Sequence, residues 1–140
     1  MSKPITLTVV SQERQLLTAE VTSVTAPGSQ GELTILPEHI PVFTQLQAGV
    51  LTFRQGKEET QIVISKGFLD VAPNNEITVM VDTAVHARDI SLEKAERAVQ
   101  AAQETMTTTQ DRQELLMAEA SLRQALLEIK VARSTKRASA

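Results

Sequence analysis

His39 is the residue best placed to do chemistry. It lies in Leu36-Pro37-Glu38-His39-Ile40-Pro41, between two prolines that restrict their own and the preceding backbone. A histidine on so stiff a loop can act as a base, bond to backbone, or meet a partner. Base catalysis needs a nucleophile, and no serine can be assigned to it; cysteine is absent altogether. His86, far away in sequence, reads as a linker residue at a junction. Glu32 follows Gly31 on a turn, and Asp82 closes a strand-like run with no second carboxylate in view. No GxxxxGK[ST], GxGxxG, HExxH or EF-hand pattern occurs. No catalytic residue and no metal ligand is therefore assigned. The remaining chemistry is electrostatic. Lys130, Arg133, Lys136 and Arg137 crowd the last eleven positions with no acid among them, and Arg123 precedes them. They can complement a helix C-terminus in a solvated tail, or form a handle for an acidic partner.

The elements that position these residues differ between the two parts of the chain. In residues 1–87, Ile5, Leu7 and Val9 alternate with Thr6, Thr8 and Val10. Leu51 and Phe53, Ile62 and Ile64, and Ile77, Val79 and Val81 continue the period of two, which is the strand signature. Pro27-Gly28, Gly31, Pro37, Pro41, Gly49, Gly56, Gly67 and Pro73-Asn74-Asn75 punctuate the runs. About ten short strands in a sandwich or barrel are expected. Several carry apolar residues on both faces and are expected to be covered on both sides.

Residues 88–140 follow helix grammar. From Ile90 onward there is neither Gly nor Pro, and Ala, Glu, Gln, Leu, Lys and Arg dominate. Ser91 is a candidate N-cap, and Leu92, Ala95, Val99, Ala102 and Met106 trace one face. Thr107-Thr108-Thr109 breaks the pattern and Asp111 offers a second cap. Leu115, Leu122, Leu126 and Ile129 form one stripe of a second helix; Leu116, Ala120, Leu127 and Val131 form another. That helix is expected over Gln113–Arg133, roughly 31 Å long, with a frayed tail beyond. The fold class is α+β: an N-terminal β-sandwich, then a C-terminal antiparallel two-helix hairpin.

The chain has 140 residues, net charge −3, 41% hydrophobic and 2% aromatic content. One domain with an appendage fits that length. Residues 1–87 carry five basic and nine acidic side chains, and residues 88–140 carry nine and eight. No basic face suited to nucleic acid emerges. Without cysteine there is no disulfide, thiol chemistry or cysteine-bound metal. Phe43, Phe53 and Phe68 are the only aromatics, which argues against a base- or sugar-stacking platform. No apolar run approaches the roughly 20 residues that span a bilayer, and Met1–Pro4 lacks the pattern of a signal peptide.

The run Pro27-Gly28-Ser29-Gln30-Gly31-Glu32-Leu33-Thr34-Ile35-Leu36-Pro37-Glu38-His39-Ile40-Pro41 resembles the signature of the epsilon subunit of F-type ATP synthases. Leu7–Ser11, Lys66–Val71 and Asn75–Val81 are similar to the same family in order and spacing. The resemblance implies a non-catalytic central-stalk subunit that couples gamma rotation to the c ring in proton-motive-force-driven ATP synthesis. It implies that the sandwich binds gamma through His39 and Thr44 and meets the c ring through Glu32. The hairpin would be a switch. Extended, it would enter the alpha–beta hexamer and inhibit ATP hydrolysis, with the Arg123–Arg137 basic cluster on acidic beta-subunit loops. A hairpin permanently packed on the sandwich is the other reading. The protein would lie on the cytoplasmic face of the plasma (inner) membrane, held through its partners alone.

Some bacterial members bind ATP at I/L-D-x-x-R-A on the first helix. Here Ile90-Ser91-Leu92-Glu93-Lys94-Ala95 stands there, with Ser91 for Asp and Lys94 for Arg. Gln124 and Glu128 occupy the second-helix positions that carry arginine in tight binders, although Arg123 is adjacent. Lysine lacks the guanidinium fork, and a glutamate repels a triphosphate. ATP binding through Ile90, Lys94 and Arg123 is therefore expected to be weak or absent, and no cofactor is assigned. The alternative to the whole assignment is a stand-alone β-sandwich binding module with a helical appendage.

Overall fold

The computed structural model describes the backbone of residues 3–138 and the side chains of residues 3–134. It divides into two compact units, Met1–His86 and Ala87–Ala140. The first holds ten strands: β1 (Ile5–Val10), β2 (Gln15–Val21), β3 (Ser23–Gly28), β4 (Gly31–Ile35), β5 (Val42–Leu46), β6 (Gly49–Gln55), β7 (Glu58–Ile64), β8 (Gly67–Ala72), β9 (Glu76–Val81) and β10 (Ala84–His86).

One hydrogen-bonded path runs β10-β7-β6-β3-β5-β8-β9-β1-β2, with β4 attached to β3. The β1–β9 pair is parallel and the others are antiparallel. The two layers of the sandwich join at β3. Its first residues, Ser23–Thr25, pair with β6, while its last, Gly28, pairs with Leu46 of β5. A strand that changes sheets lets one path fold around one core.

The core follows the period of two read from the sequence. Ile5, Leu7, Val9, Val24, Ile35, Leu51, Ile64, Leu69, Ile77 and Val79 are each at most 1% exposed. Each such side chain contributes about 1.5–3 kcal/mol by leaving water. The expectation that several strands are covered on both faces needs correction. Among the described strands, only β7 has three successive buried residues, Ile62, Val63 and Ile64. Val10, Val50, Met80 and Val85 stay half-buried on outward positions. At the start of β8, a Cβ on Gly67 would land on the carbonyl oxygen of Met80, so glycine lets β8 close against β9.

The second unit begins with a 3-10 turn, Ala87–Asp89, followed by α1 (Leu92–Thr108) and α2 (Arg112–Ala138). Ser91 caps α1, its Oγ accepting from the Lys94 N–H at 3.3 Å. Asp111 caps α2, its Oδ1 accepting from the Gln113 N–H at 3.0 Å. At the end of α1 the hydroxyls of Thr107 and Thr108 both donate to the Glu104 carbonyl at 2.9 Å. Threonines that bond back to the helix in this way compete with its continuation.

The helix faces differ in part from expectation. Ala95, Val99, Ala102 and Met106 share one face of α1, with both alanines buried. On α2 the matching spacing is Ala118, Leu122, Ala125 and Ile129, again with both alanines buried. Leu126 and Leu116, each placed in an expected stripe, are 51% and 52% exposed. Val131, in the other expected stripe, is buried as well, so four alanines and one valine are the buried residues among those described on α1 and α2. The second helix also runs past the expected end at Arg133 to Ala138. Nothing in residues 133–138 breaks a helix, so the 27-residue α2 is about 40 Å long.

Candidate functional site

The outward face of the β5-β8-β9-β1-β2 layer is built by register. Gln45, Phe68, Met80, Val10 and Gln15 form one cross-strand row. Phe43, Asp70, Thr78, Thr8 and Thr18 form the next. Phe43 and Phe68 are diagonal neighbours, and their rings stack with centroids 5.6 Å apart at 18°. Both are open to solvent, at 63% and 41% exposure. Leu36 and Ile40, on the loop before β5, are also exposed. Four large apolar side chains are thus exposed on the surface of this unit.

An open groove of about 810 Å³ continues this face, with Val10, Gln45, Phe68 and Met80 in its lining. Lys66 and Asp82 also line it, so it offers one charge of each sign beside the apolar row. Sequence reading singled out neither phenylalanine as a site residue. The available signal was parity: in Gly67-Phe68-Leu69-Asp70-Val71, Leu69 and Val71 are inward, so Phe68 shares the outward side with Asp70.

His39 sits at one end of β4. The Leu36–His39 segment is a turn closed by the His39 N–H donating to the Leu36 carbonyl at 3.1 Å. Pro37 holds its second position and Glu38, at φ 67°, its third, the pattern of a type II turn with glutamate in place of glycine. The strained Glu38 is held by its N–H donating to Asn75 Oδ1 at 2.6 Å. His39 is exposed, and its Nδ1–H donates to the Ile40 carbonyl at 2.7 Å, leaving Nε2 outward. The backbone-bonded arrangement is thus present, and the ring remains accessible to a partner.

Glu32 is at the opposite end of β4, a strand of five residues and about 17 Å. It is exposed beside the two-residue Ser29-Gln30 turn, where Gly31 adopts φ 126°. β5 steadies this tip: the Ser29 N–H donates to Gln45 O at 3.0 Å, and the Gln47 N–H donates to Pro27 O at 2.9 Å. Thr44 is half-buried, opposite core residue Leu69, and shares the inward side of β5 with Val42 and Leu46. The outward positions on either side of it belong to Phe43 and Gln45.

The helical residues are less concentrated. Arg123 and Lys130 are exposed on α2. Arg133 is not a lone cation: its Nη2 lies 3.8 Å from Glu96 Oε1 on α1. Lys136 and Arg137 have side chains outside the described residues. In the expected nucleotide stretch, Ile90 is half-buried and Lys94 exposed. The Ser91 hydroxyl is engaged as a cap. Glu128 is half-buried, and burial raises its carboxyl above the usual value, opposed by a hydrogen bond from the Gln124 side chain. Among the described residues no acidic or histidine cluster is placed to hold a metal, and no helix is long and apolar enough to cross a membrane.

Residues 4–87 match the family model of the ATP synthase delta/epsilon chain β-sandwich domain. The chain is 38% identical to the ATP synthase epsilon chain of Moorella thermoacetica, over 91% of this chain and 96% of that one. It is 41% identical to an ATP synthase epsilon chain of Dehalococcoides mccartyi, over 90% of each. In fold it is similar to a chain in the OSCP/F1/c-ring structure of the Euglena gracilis mitochondrial ATP synthase, with TM-score 0.73 and 25% identity over 97% of this chain and 82% of that one. A chain in the central stalk/c-ring structure of the Tetrahymena thermophila enzyme shares the fold, with TM-score 0.61 and 16% identity over 94% of this chain and 98% of that one. The chain belongs to the ATP synthase epsilon-chain family, the non-catalytic stalk subunits of rotary ATP synthases.

Proposed function

We propose that residues 1–87 anchor the chain in the central stalk and that residues 88–140 regulate it. The anchor joins gamma to the c ring, so that rotation driven by the proton-motive force reaches the catalytic head. The stacked Phe43–Phe68 pair on an open sheet face is the observation that carries this reading. Exposed aromatics beside a groove are the usual energetic centre of a protein interface. Gamma takes this face together with His39, on the loop before β5; Thr44 lies on the inward side of that strand and supports the face from beneath. Glu32 sits at the far end of β4, so a second partner, the polar loops of the c ring, can be met there without competition.

The hairpin is the regulatory part. Of the five buried residues among those described on its helices, Ala95, Ala102, Ala118, Ala125 and Val131, four are alanines, which bury little area and make separation inexpensive. Released, α2 reaches about 40 Å and carries exposed Leu116, Met117 and Leu126 with the basic cluster. The alpha and beta subunits receive it in an inhibited state of ATP hydrolysis. Regulatory ATP binds weakly or not at all. The protein lies at the cytoplasmic face of the inner membrane through its partners.

Mixing the full chain with purified gamma tests the anchor. A stable complex is expected on gel filtration, lost with Phe68→Asp. Failure of the unmodified chain to bind gamma would instead favour a stand-alone sandwich module.

A further inference from the structure

Glu96 and Arg133 each lack compensation on their own helix. On α1, the helical neighbours of Glu96 at three and four positions are Leu92, Glu93, Val99 and Gln100. One of these is a like charge and none is a cation. Arg97, next to it in sequence, pairs with Glu93 at 3.8 Å. On α2, the corresponding neighbours of Arg133 are Ile129, Lys130, Lys136 and Arg137. Three are like charges and none is an acid. The two helices relieve each other through the Arg133 Nη2–Glu96 Oε1 contact at 3.8 Å.

We infer that this ion pair is a clasp between α1 and α2 for which an acidic partner surface competes. In the closed hairpin Glu96 neutralises one charge of the basic segment. When the helices part, Glu96 is left beside Glu93, and Arg133 is left with only cations among its charged helical neighbours in sequence. The open form is therefore the one an acidic surface favours, and capture of Arg133 by that surface and loss of the clasp are one event. A ligand shifts such an equilibrium only through its different affinity for the two states, and the freed guanidinium supplies that difference. Both partners are exposed, at 61% and 59%, so the clasp is screened by salt and sets a bias between forms without locking either. This inference rests on the reading of the hairpin as an opening element.

The chain has no cysteine, so a spin label placed at Ala98 and another at Ala120, both exposed, report the distance between helices in the full protein. Glu96→Gln is expected to raise the open-to-closed ratio about two- to fivefold. The exchange Glu96→Arg with Arg133→Glu is expected to restore the unmodified ratio. Polyglutamate, used as the acidic probe, is expected to open the unmodified chain more than Arg133→Gln. High salt is expected to shift the unmodified chain and leave Glu96→Gln where it is. Equal ratios for the unmodified chain and Glu96→Gln would overturn the clasp, as would an exchange that fails to restore the ratio. If the clasp fails while the full chain still inhibits ATP hydrolysis, the regulatory reading stands alone. A measured clasp in a chain that never inhibits separates the two the other way.

Discussion

The ring of Phe43 stacks on that of Phe68 although 25 positions separate them in sequence, and neither belongs to the core. The contact exists because Gln45 pairs with Phe68 and Phe43 with Asp70, which puts both rings on the outward side of adjacent strands. The pair is thus held together in water with a groove beside it, and in the proposed function it is the surface that meets gamma.

Truncating either ring should therefore separate binding from stability. Phe43→Ala and Phe68→Ala are each expected to weaken gamma binding by about 2 kcal/mol or more, as anchor residues do. Thermal stability should change little, since neither ring fills the core. Their combined effect should depart from the sum by about 0.5–1.5 kcal/mol, the coupling of a stacked pair. Calorimetric titration against gamma and thermal unfolding of the four proteins check this.

The His39 loop should depend on Asn75. Glu38 holds a left-handed backbone conformation, which costs a non-glycine residue about 1–2 kcal/mol. Asn75 accepts its N–H. Asn75→Gly, which removes the acceptor and suits the φ of 60° at this position, is expected to lose about 0.5–1.5 kcal/mol of stability, and to weaken gamma binding because His39 is no longer fixed. Glu38→Gly should be tolerated, whereas Glu38→Ile should destabilise. Urea unfolding of the three variants measures these differences.

Much of this architecture is legible in the chain itself. Ile5, Leu7 and Val9, or Ile77, Val79 and Val81, announce both a strand and its buried side. Ser91 and Asp111 mark the helix starts, because a cap is a local matter. The motif from Pro27 to Pro41 locates a site region but not its surface. Thr44 illustrates why: β5 carries apolar residues on both sides, Val42 and Leu46 against Phe43, and only pairing with β8 decides which face is outward. The Arg133–Glu96 contact is likewise invisible, since it depends on how two helices align. Leu126 is exposed although it shares an expected stripe with Leu122 and Ile129, because Ala118 and Ala125 take the buried positions beside those two, which hydrophobicity alone does not reveal.

Glu128 should make stability depend on pH. Burial, the larger cause, raises its folded-state value above the usual 4.5, and the Gln124 hydrogen bond lowers it by less. The folded chain therefore binds this proton more tightly than the unfolded chain. The stabilisation is full below the unfolded value and is lost as pH rises through the folded one. Glu128→Gln is expected to remove this loss and to be more stable than the unmodified chain at neutral pH. Urea midpoints for both proteins between about pH 4 and about pH 8 should converge at the acid end and separate above it.

The central claim is that the sandwich anchors and the hairpin restrains. ATP hydrolysis by a catalytic head depleted of its own epsilon chain tests it most directly. The full chain is compared with a truncation ending at Arg88, with gamma binding measured for both so that the shorter protein is known to be folded. The account predicts that both bind gamma and only the full chain slows hydrolysis. Equal inhibition by both, or no inhibition by a full chain that binds, would contradict the role given to α1 and α2.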